Sequence, residues 1–129
     1  MSSFQMKLDG PRLAPAAGGK AEELVVLLHG WGANGDDLIG LAPYLARGLP
    51  NALFIAPNAP FPCEQNPMGL QWFSLMDRSE SQMLAGLRLA ASLVDAFLDD
   101  LLAATGLGND RLALVGFSQG TMLSLHLAP

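Results

Sequence analysis

A doubly wound α/β domain with a mostly parallel sheet is the fold class this sequence predicts, and three observations predict it. Three short apolar runs, at residues 24–28, 52–56 and 111–115, show no polar alternation, as strands covered on both faces of a parallel sheet require. Helix-period patterns fall between the first and second runs, between the second and third, and after the third, which is the strand-helix rhythm of such folds. With 129 residues, 50% hydrophobic and 15% charged, the chain has the composition of a globular protein and the size of one domain or part of one.

Taken in order, the Asp9-Gly10 pair suggests an antiparallel hairpin near the N-terminus. Residues 24–28 form the first core strand. Residues 36–48 read as helix, with Pro43 kinking it or marking its restart, and residues 52–56 form the second core strand. An irregular stretch at 57–77 follows, carrying Pro57, Pro60, Pro62 and Pro67 and ending near Trp72-Phe73. Because it leaves the C-terminal end of a strand, where open α/β sheets bind ligands, it is a candidate pocket wall or lid. The alternative is that Trp72 and Phe73 anchor the loop on the core. Met83, Leu84, Leu87, Leu93, Val94, Phe97, Leu98, Leu101 and Leu102 then recur at helical steps. Ser79 and Gln82 form a capping box at the start of this helix and Gly106 stops it. Residues 111–115 are the third core strand and residues 119–127 the last helix.

Charge and cysteine content exclude several classes. Seven basic residues against 12 acidic ones leave a net charge of -5, and the basic residues are scattered, so there is no phosphate-neutralising surface for nucleic acid. The single cysteine, Cys63, rules out an internal disulfide and a multi-cysteine zinc site; it fits a reducing compartment and makes the cytoplasm the expected location. Two separated histidines, His29 and His126, build no metal cluster. The opening residues carry no export signal, and the longest aliphatic run is far short of the roughly 20 residues that span a bilayer. A mean hydropathy of +0.30 is high for a complete soluble domain and implies an apolar surface meant to be covered.

The chemistry sits at Gly116-Phe117-Ser118-Gln119-Gly120, a G-x-S-x-G pattern with a strand directly before it and a helix directly after. That context is what a nucleophile elbow needs, because the serine must stand on a strained turn with its hydroxyl in the cleft. Acyl transfer also needs donors for the developing oxyanion. One is the backbone N–H of the residue after the nucleophile, Gln119. The other comes from Leu28-His29-Gly30-Trp31-Gly32 at the end of the first core strand, where the Trp31 N–H is placed to point into the cleft and its indole to line the acyl pocket. Neither a dinucleotide fingerprint nor a Walker lysine accompanies these glycines.

Together, Leu28-His29-Gly30-Trp31-Gly32, Gln71-Trp72-Phe73 and Gly116-Phe117-Ser118-Gln119-Gly120 resemble the phospholipase/carboxylesterase family of small α/β-hydrolases, relatives of the acyl-protein thioesterases, from about Leu24 onward. The resemblance implies Ser118 as nucleophile, Trp31 and Gln119 as oxyanion donors, and Trp72 and Phe73 in the substrate-pocket wall. It implies a cofactor-free enzyme acting on a small ester or acyl-thioester. It also implies a catalytic Asp and His in sequence after the nucleophile helix, so that residues 1–129 read as the N-terminal portion of a single α/β-hydrolase domain, truncated after that helix. His126 lies eight residues past Ser118, about 12 Å along a helix, too far to be its base. His29 belongs to the oxyanion loop, and Asp36, Asp37 and Asp77 read as helix caps or loop residues.

The expected reaction in a complete protein is Ser118 attack on an ester carbonyl, acyl-enzyme formation and hydrolysis, while the 129-residue chain alone is expected to be inactive. The rival class is a non-catalytic fragment or scaffold that keeps half of the fold. A dehalogenase or lyase on the same scaffold is disfavoured by serine, not aspartate, at the elbow. In the implied fold the strand at 111–115 is left at a sheet edge, which the missing C-terminal half or a second copy is expected to cover.

Overall fold

The computed structural model describes residues 7–127. Its main sheet holds β1 (Arg12–Leu13), β2 (Glu23–Leu28), β3 (Ala52–Ile55) and, after an intervening β-ribbon, β6 (Leu112–Gly116), in the order β1-β3-β2-β6. β2 runs parallel to both β3 and β6, while β1 is antiparallel to β3. The ribbon is the two-stranded antiparallel pair β4 (Phe61–Pro62) and β5 (Leu70–Gln71) within the long loop. The helices are α1 (Gly35–Ile39), α2 (Ala42–Leu45), α3 (Glu80–Thr105) and α4 (Gln119–Leu127).

β2 shows why its sequence is apolar throughout. Leu24, Val26 and Leu28 face one side, where they pack with Ile55 and with Ala90, Val94, Phe97, Leu98 and Leu101 of α3 and Leu123 of α4. Val25 and Leu27 face the other side, with Phe54 and with Leu38, Ala42 and Ala46 of the α1–α2 segment. Helices therefore cover both faces of the sheet. Each fully buried aliphatic side chain of this strand contributes about 1.5–3 kcal/mol.

The helix boundaries follow local chemistry. Asn34 and Asp37 form a reciprocal capping box at α1. Pro43 stands in the first turn of α2, so the 36–48 pattern is two short helices with a restart at proline. Ser79 caps α3 by accepting from the Gln82 N–H, and Gly106 ends it in the left-handed conformation at φ 74°. Asp77 supports this start by accepting from the Ser79 N–H at 2.9 Å, which holds its carboxyl below its ordinary pKa.

Two boundaries differ from expectation. The Asp9-Gly10 pair does not turn a hairpin among the described residues; the arm preceding it lies largely outside them. Asp9 and Pro11 instead accept from the backbone N–H groups of Asn58 and Ala56, so this segment extends the β1–β3 pairing. β6 starts at Leu112, because Arg111 closes a short 3-10 turn, Asn109–Arg111, immediately before it.

β6 lies at the edge of the sheet. Unlike β2 it has no fully buried residue, and Ala113 is exposed. No described helix is long and apolar enough to cross a membrane.

Candidate active site

The β2–β6 register builds the site. Leu28 stands opposite Gly116, and the pairing continues as Phe117 N–H donates to the Leu28 carbonyl at 3.1 Å. Whatever follows Leu28 is thereby set beside whatever follows Gly116: His29-Gly30-Trp31 beside Phe117-Ser118-Gln119.

Ser118 is the single non-glycine residue with positive φ among the described residues, at 54°. Such a backbone costs an L-residue about 1–3 kcal/mol and persists only where surrounding structure enforces it. Here the enforcement is visible. The Ser118 carbonyl accepts from Thr121 N–H at 2.9 Å and Met122 N–H at 3.3 Å, starting α4, and Gly120 N–H bonds the Phe117 carbonyl at 2.9 Å. The flanking glycines make room for the turn. A methyl group on Gly116 would lie 2.5 Å from the Gly120 carbonyl oxygen, and one on Gly120 would collide with the Leu28 carbonyl. Ser118 itself is exposed at the top of the sheet.

Gly30 lies against the elbow: a methyl group there would come within 3.1 Å of Ser118 Cβ. Among the described residues, neither the Trp31 N–H nor the Gln119 N–H meets a protein acceptor. Both are therefore free donors on loops that converge beside Ser118. The Trp31 indole donates to Gln71 Oε1 at 3.0 Å.

Trp72 and Phe73 are buried, at 0% and 3% exposure, within the core cluster that includes α3. The Trp72 indole donates to the His29 carbonyl at 2.8 Å. Both side chains are packed into the core, and the Trp72 bond ties the loop to the end of β2.

His29 is buried and fully committed. Nε2 accepts from the Ala59 N–H at 2.9 Å, which leaves Nδ1 to donate to the Gly30 carbonyl at 2.8 Å. Burial pushes its pKa below 6.5, outweighing the Gly30 hydrogen bond and the Asp37 charge that favour the cation. With both ring nitrogens engaged it has no lone pair for a proton from Ser118. His126 is exposed on α4. Asp36 and Asp37 stand in the first turn of α1, and Asp77 sits just before α3.

Two features escaped the sequence reading. The Gln119 side chain, 3% exposed, accepts from Trp72 N–H at 2.8 Å and donates from Nε2 to the Phe73 carbonyl at 2.9 Å. Gln71, 5% exposed, receives both the Trp31 indole and the Glu64 N–H, the latter at 3.2 Å. The available signal was two glutamines set among glycines and aromatics, where a buried amide must find partners. A hollow of about 860 Å³ between Lys7–Arg12 and α3 lies elsewhere; none of its lining residues belongs to the motifs around Ser118.

A mostly parallel sheet wrapped on both faces, with a strained serine between strand and helix, defines an α/β-hydrolase. The chain belongs to the phospholipase/carboxylesterase family, whose model matches residues 14–129. It is 30% identical over 113 residues to the Escherichia coli K12 esterase YpfH, covering 82% of this chain and 45% of that protein. It is 33% identical over 113 residues to acyl-protein thioesterase 1 of Cryptococcus neoformans, covering 78% of this chain and 45% of that one. Among solved structures it is similar to esterase PE8, with 47% identity and a TM-score of 0.87 over 95% of this chain and 57% of that one. It is also similar to a Mesorhizobium loti carboxylesterase, with 28% identity and a TM-score of 0.70 over 93% of this chain and 53% of that one. The chain thus spans about half the length of the relatives it matches.

Proposed function

We propose that this chain carries the nucleophile and oxyanion site of a serine carboxylic-ester hydrolase acting on a small ester or acyl-thioester. The observation that carries the reading is the left-handed backbone of Ser118 at φ 54°, strain that serves to present its hydroxyl at the strand-helix turn. Ser118 Oγ attacks the substrate carbonyl carbon and passes its proton to a base. The Trp31 and Gln119 N–H groups stabilise the oxyanion. The carbonyl re-forms as the bond to the leaving group breaks, and the leaving group takes the proton. Water then hydrolyses the acyl-serine, releasing the acid and restoring the hydroxyl.

His29 and His126 do not fit the role of base; the family resemblance implies an Asp and a His in sequence after the nucleophile helix, and the relatives' greater length supports assigning the base and its orienting carboxylate there. The same sequence, pairing with the open edge of β6, is the partner that the exposed Ala113 and the half-covered Leu112 and Leu114 fit. The relatives' greater length supports that choice over a second copy. Trp72 and Phe73 form the inner layer behind the substrate pocket, and the buried, unpaired Cys63 is in keeping with a cytoplasmic enzyme.

Turnover of p-nitrophenyl acetate by the full-length protein and by its Ser118→Ala variant tests this reading. The variant is expected to lose at least 10³-fold in kcat. Unchanged turnover would refute Ser118 as nucleophile. An inactive wild type would favour a scaffold that keeps the fold without the chemistry.

A further inference from the structure

We infer that residues 71–73 act as a brace that sets the spacing of the two oxyanion donors, with Gln71 and Gln119 as positioning residues working through it. This rests on the reading of Ser118 as nucleophile. The two donor loops leave different strands, and the sheet ladder that aligns them ends at Leu28 and Gly116, with one further bond from Phe117 to Leu28. Beyond that point the loops need another tie, since an oxyanion site tolerates errors of only about 0.5 Å.

Both loops are tied to the same three residues. On the β2 side, the Trp31 indole donates to Gln71 Oε1 at 3.0 Å and the His29 carbonyl accepts from the Trp72 indole at 2.8 Å. On the elbow side, the Gln119 amide accepts from Trp72 N–H and donates to the Phe73 carbonyl, pairing with this backbone as a neighbouring strand would. Gly32 and Ala33 extend the tie: Gly32 N–H donates to the Leu70 carbonyl at 2.8 Å and Leu70 N–H to the Ala33 carbonyl at 2.9 Å. The glutamine amides and the Trp72 side chain are buried, where hydrogen bonds meet little competition from water and hold geometry well. The residues that supply the donor N–H groups, Trp31 and Gln119, are thus the ones whose side chains grip the brace.

The two glutamines differ in a way that makes the inference specific. Among the described residues Gln71 is bonded only through Oε1, accepting twice, so a glutamate can make the same bonds. Gln119 uses an acceptor and a donor, so a glutamate leaves the Phe73 carbonyl facing a carboxylate.

The test uses the full-length protein with p-nitrophenyl acetate, whose acetyl group is too small to depend on pocket shape. In Gln119→Met and Gln71→Leu, with near-UV circular dichroism unchanged, kcat is expected to fall about 10- to 100-fold while KM stays within about twofold. Affinity for a trifluoromethyl ketone, whose tetrahedral adduct fills the oxyanion site, is expected to fall in step with kcat/KM. Gln71→Glu is expected to recover most of what Gln71→Leu loses, and Gln119→Glu is not. Wild-type kcat in folded Gln119→Met and Gln71→Leu, or a loss carried by KM alone, would overturn the brace. If Gln119→Met does not fold, the Gln71 pair decides on the same criteria. A wild type that is inactive, or active without Ser118, refutes the nucleophile and the brace that rests on it; failure of the brace alone shows only in the variants, beside an active Ser118-dependent wild type.

Discussion

The Trp72 indole N–H donates to the His29 carbonyl at 2.8 Å while the two rings lie tilted, their centroids 5.2 Å apart. This pair fastens the long loop to the end of β2, and the His29 ring extends the fastening to Ala59 at the loop's other end. The loop is closed on itself at the point where β2 gives way to the segment His29-Gly30-Trp31.

Replacing Trp72 therefore tests anchoring. Trp72→Phe leaves the His29 carbonyl without its buried donor and is expected to destabilise by about 1–3 kcal/mol. Trp72→Ala adds a cavity and is expected to cost about 3–5 kcal/mol. Urea unfolding of the full-length protein, at constant slope, measures both. A neutral Trp72→Phe would mean that the indole hydrogen bond adds nothing.

The second prediction concerns pH. His29 has its folded pKa depressed below 6.5 by burial, so around and below that pH the unfolded chain binds more protons than the folded one. Its contribution is fully present above about pH 6.5 and is lost as pH falls toward the folded value. The unfolding midpoint is expected to decline below pH 6.5 in the wild type and to decline less steeply in His29→Asn. Identical profiles would place the titration elsewhere.

A third prediction separates strain from chemistry at the elbow. Both Ser118→Ala and Ser118→Gly lack the hydroxyl, but only glycine is at ease at φ 54°. Ser118→Gly is expected to be about 1 kcal/mol more stable than Ser118→Ala. Gly120→Ala, which drives a methyl into the Leu28 carbonyl, is expected to destabilise by about 1–3 kcal/mol or more. Equal stability of the two Ser118 variants would mean the turn is not strained.

The elements legible in the sequence were those with a local signature. β2, β3 and α3 announce themselves through unbroken or periodic apolar residues, Gly106 through its left-handed cap, and the elbow through glycines that a Cβ would wreck. The brace was not legible. Gln119 reaches Trp72 across 47 positions and Trp31 reaches Gln71 across 40, and an amide that will pair with distant backbone looks like any other glutamine. Trp72 and Phe73 are open between wall and anchor in the sequence because an aromatic residue suits either; the structure adds that both are buried and that the Trp72 indole bonds the His29 carbonyl. The Asp9-Gly10 turn signal was outweighed by pairing with Ala56 and Asn58, which nothing near Asp9 in sequence reveals.

The fourth prediction concerns the edge. The isolated 129-residue chain, with β6 open, is expected to associate at micromolar concentration by light scattering and to show negligible esterase activity. Ala113→Lys, which sets a charge on the exposed edge, is expected to reduce association. A monodisperse monomer would show that the edge needs no cover.

The most direct test of the central claim is the position of a covalent label. Full-length protein treated with a fluorophosphonate and mapped by tandem mass spectrometry is expected to carry one adduct, on Ser118 of the peptide containing Gly116-Phe117-Ser118-Gln119-Gly120, and none in Ser118→Ala. Stoichiometric labelling of another serine, with Ser118 unmodified, would contradict the account.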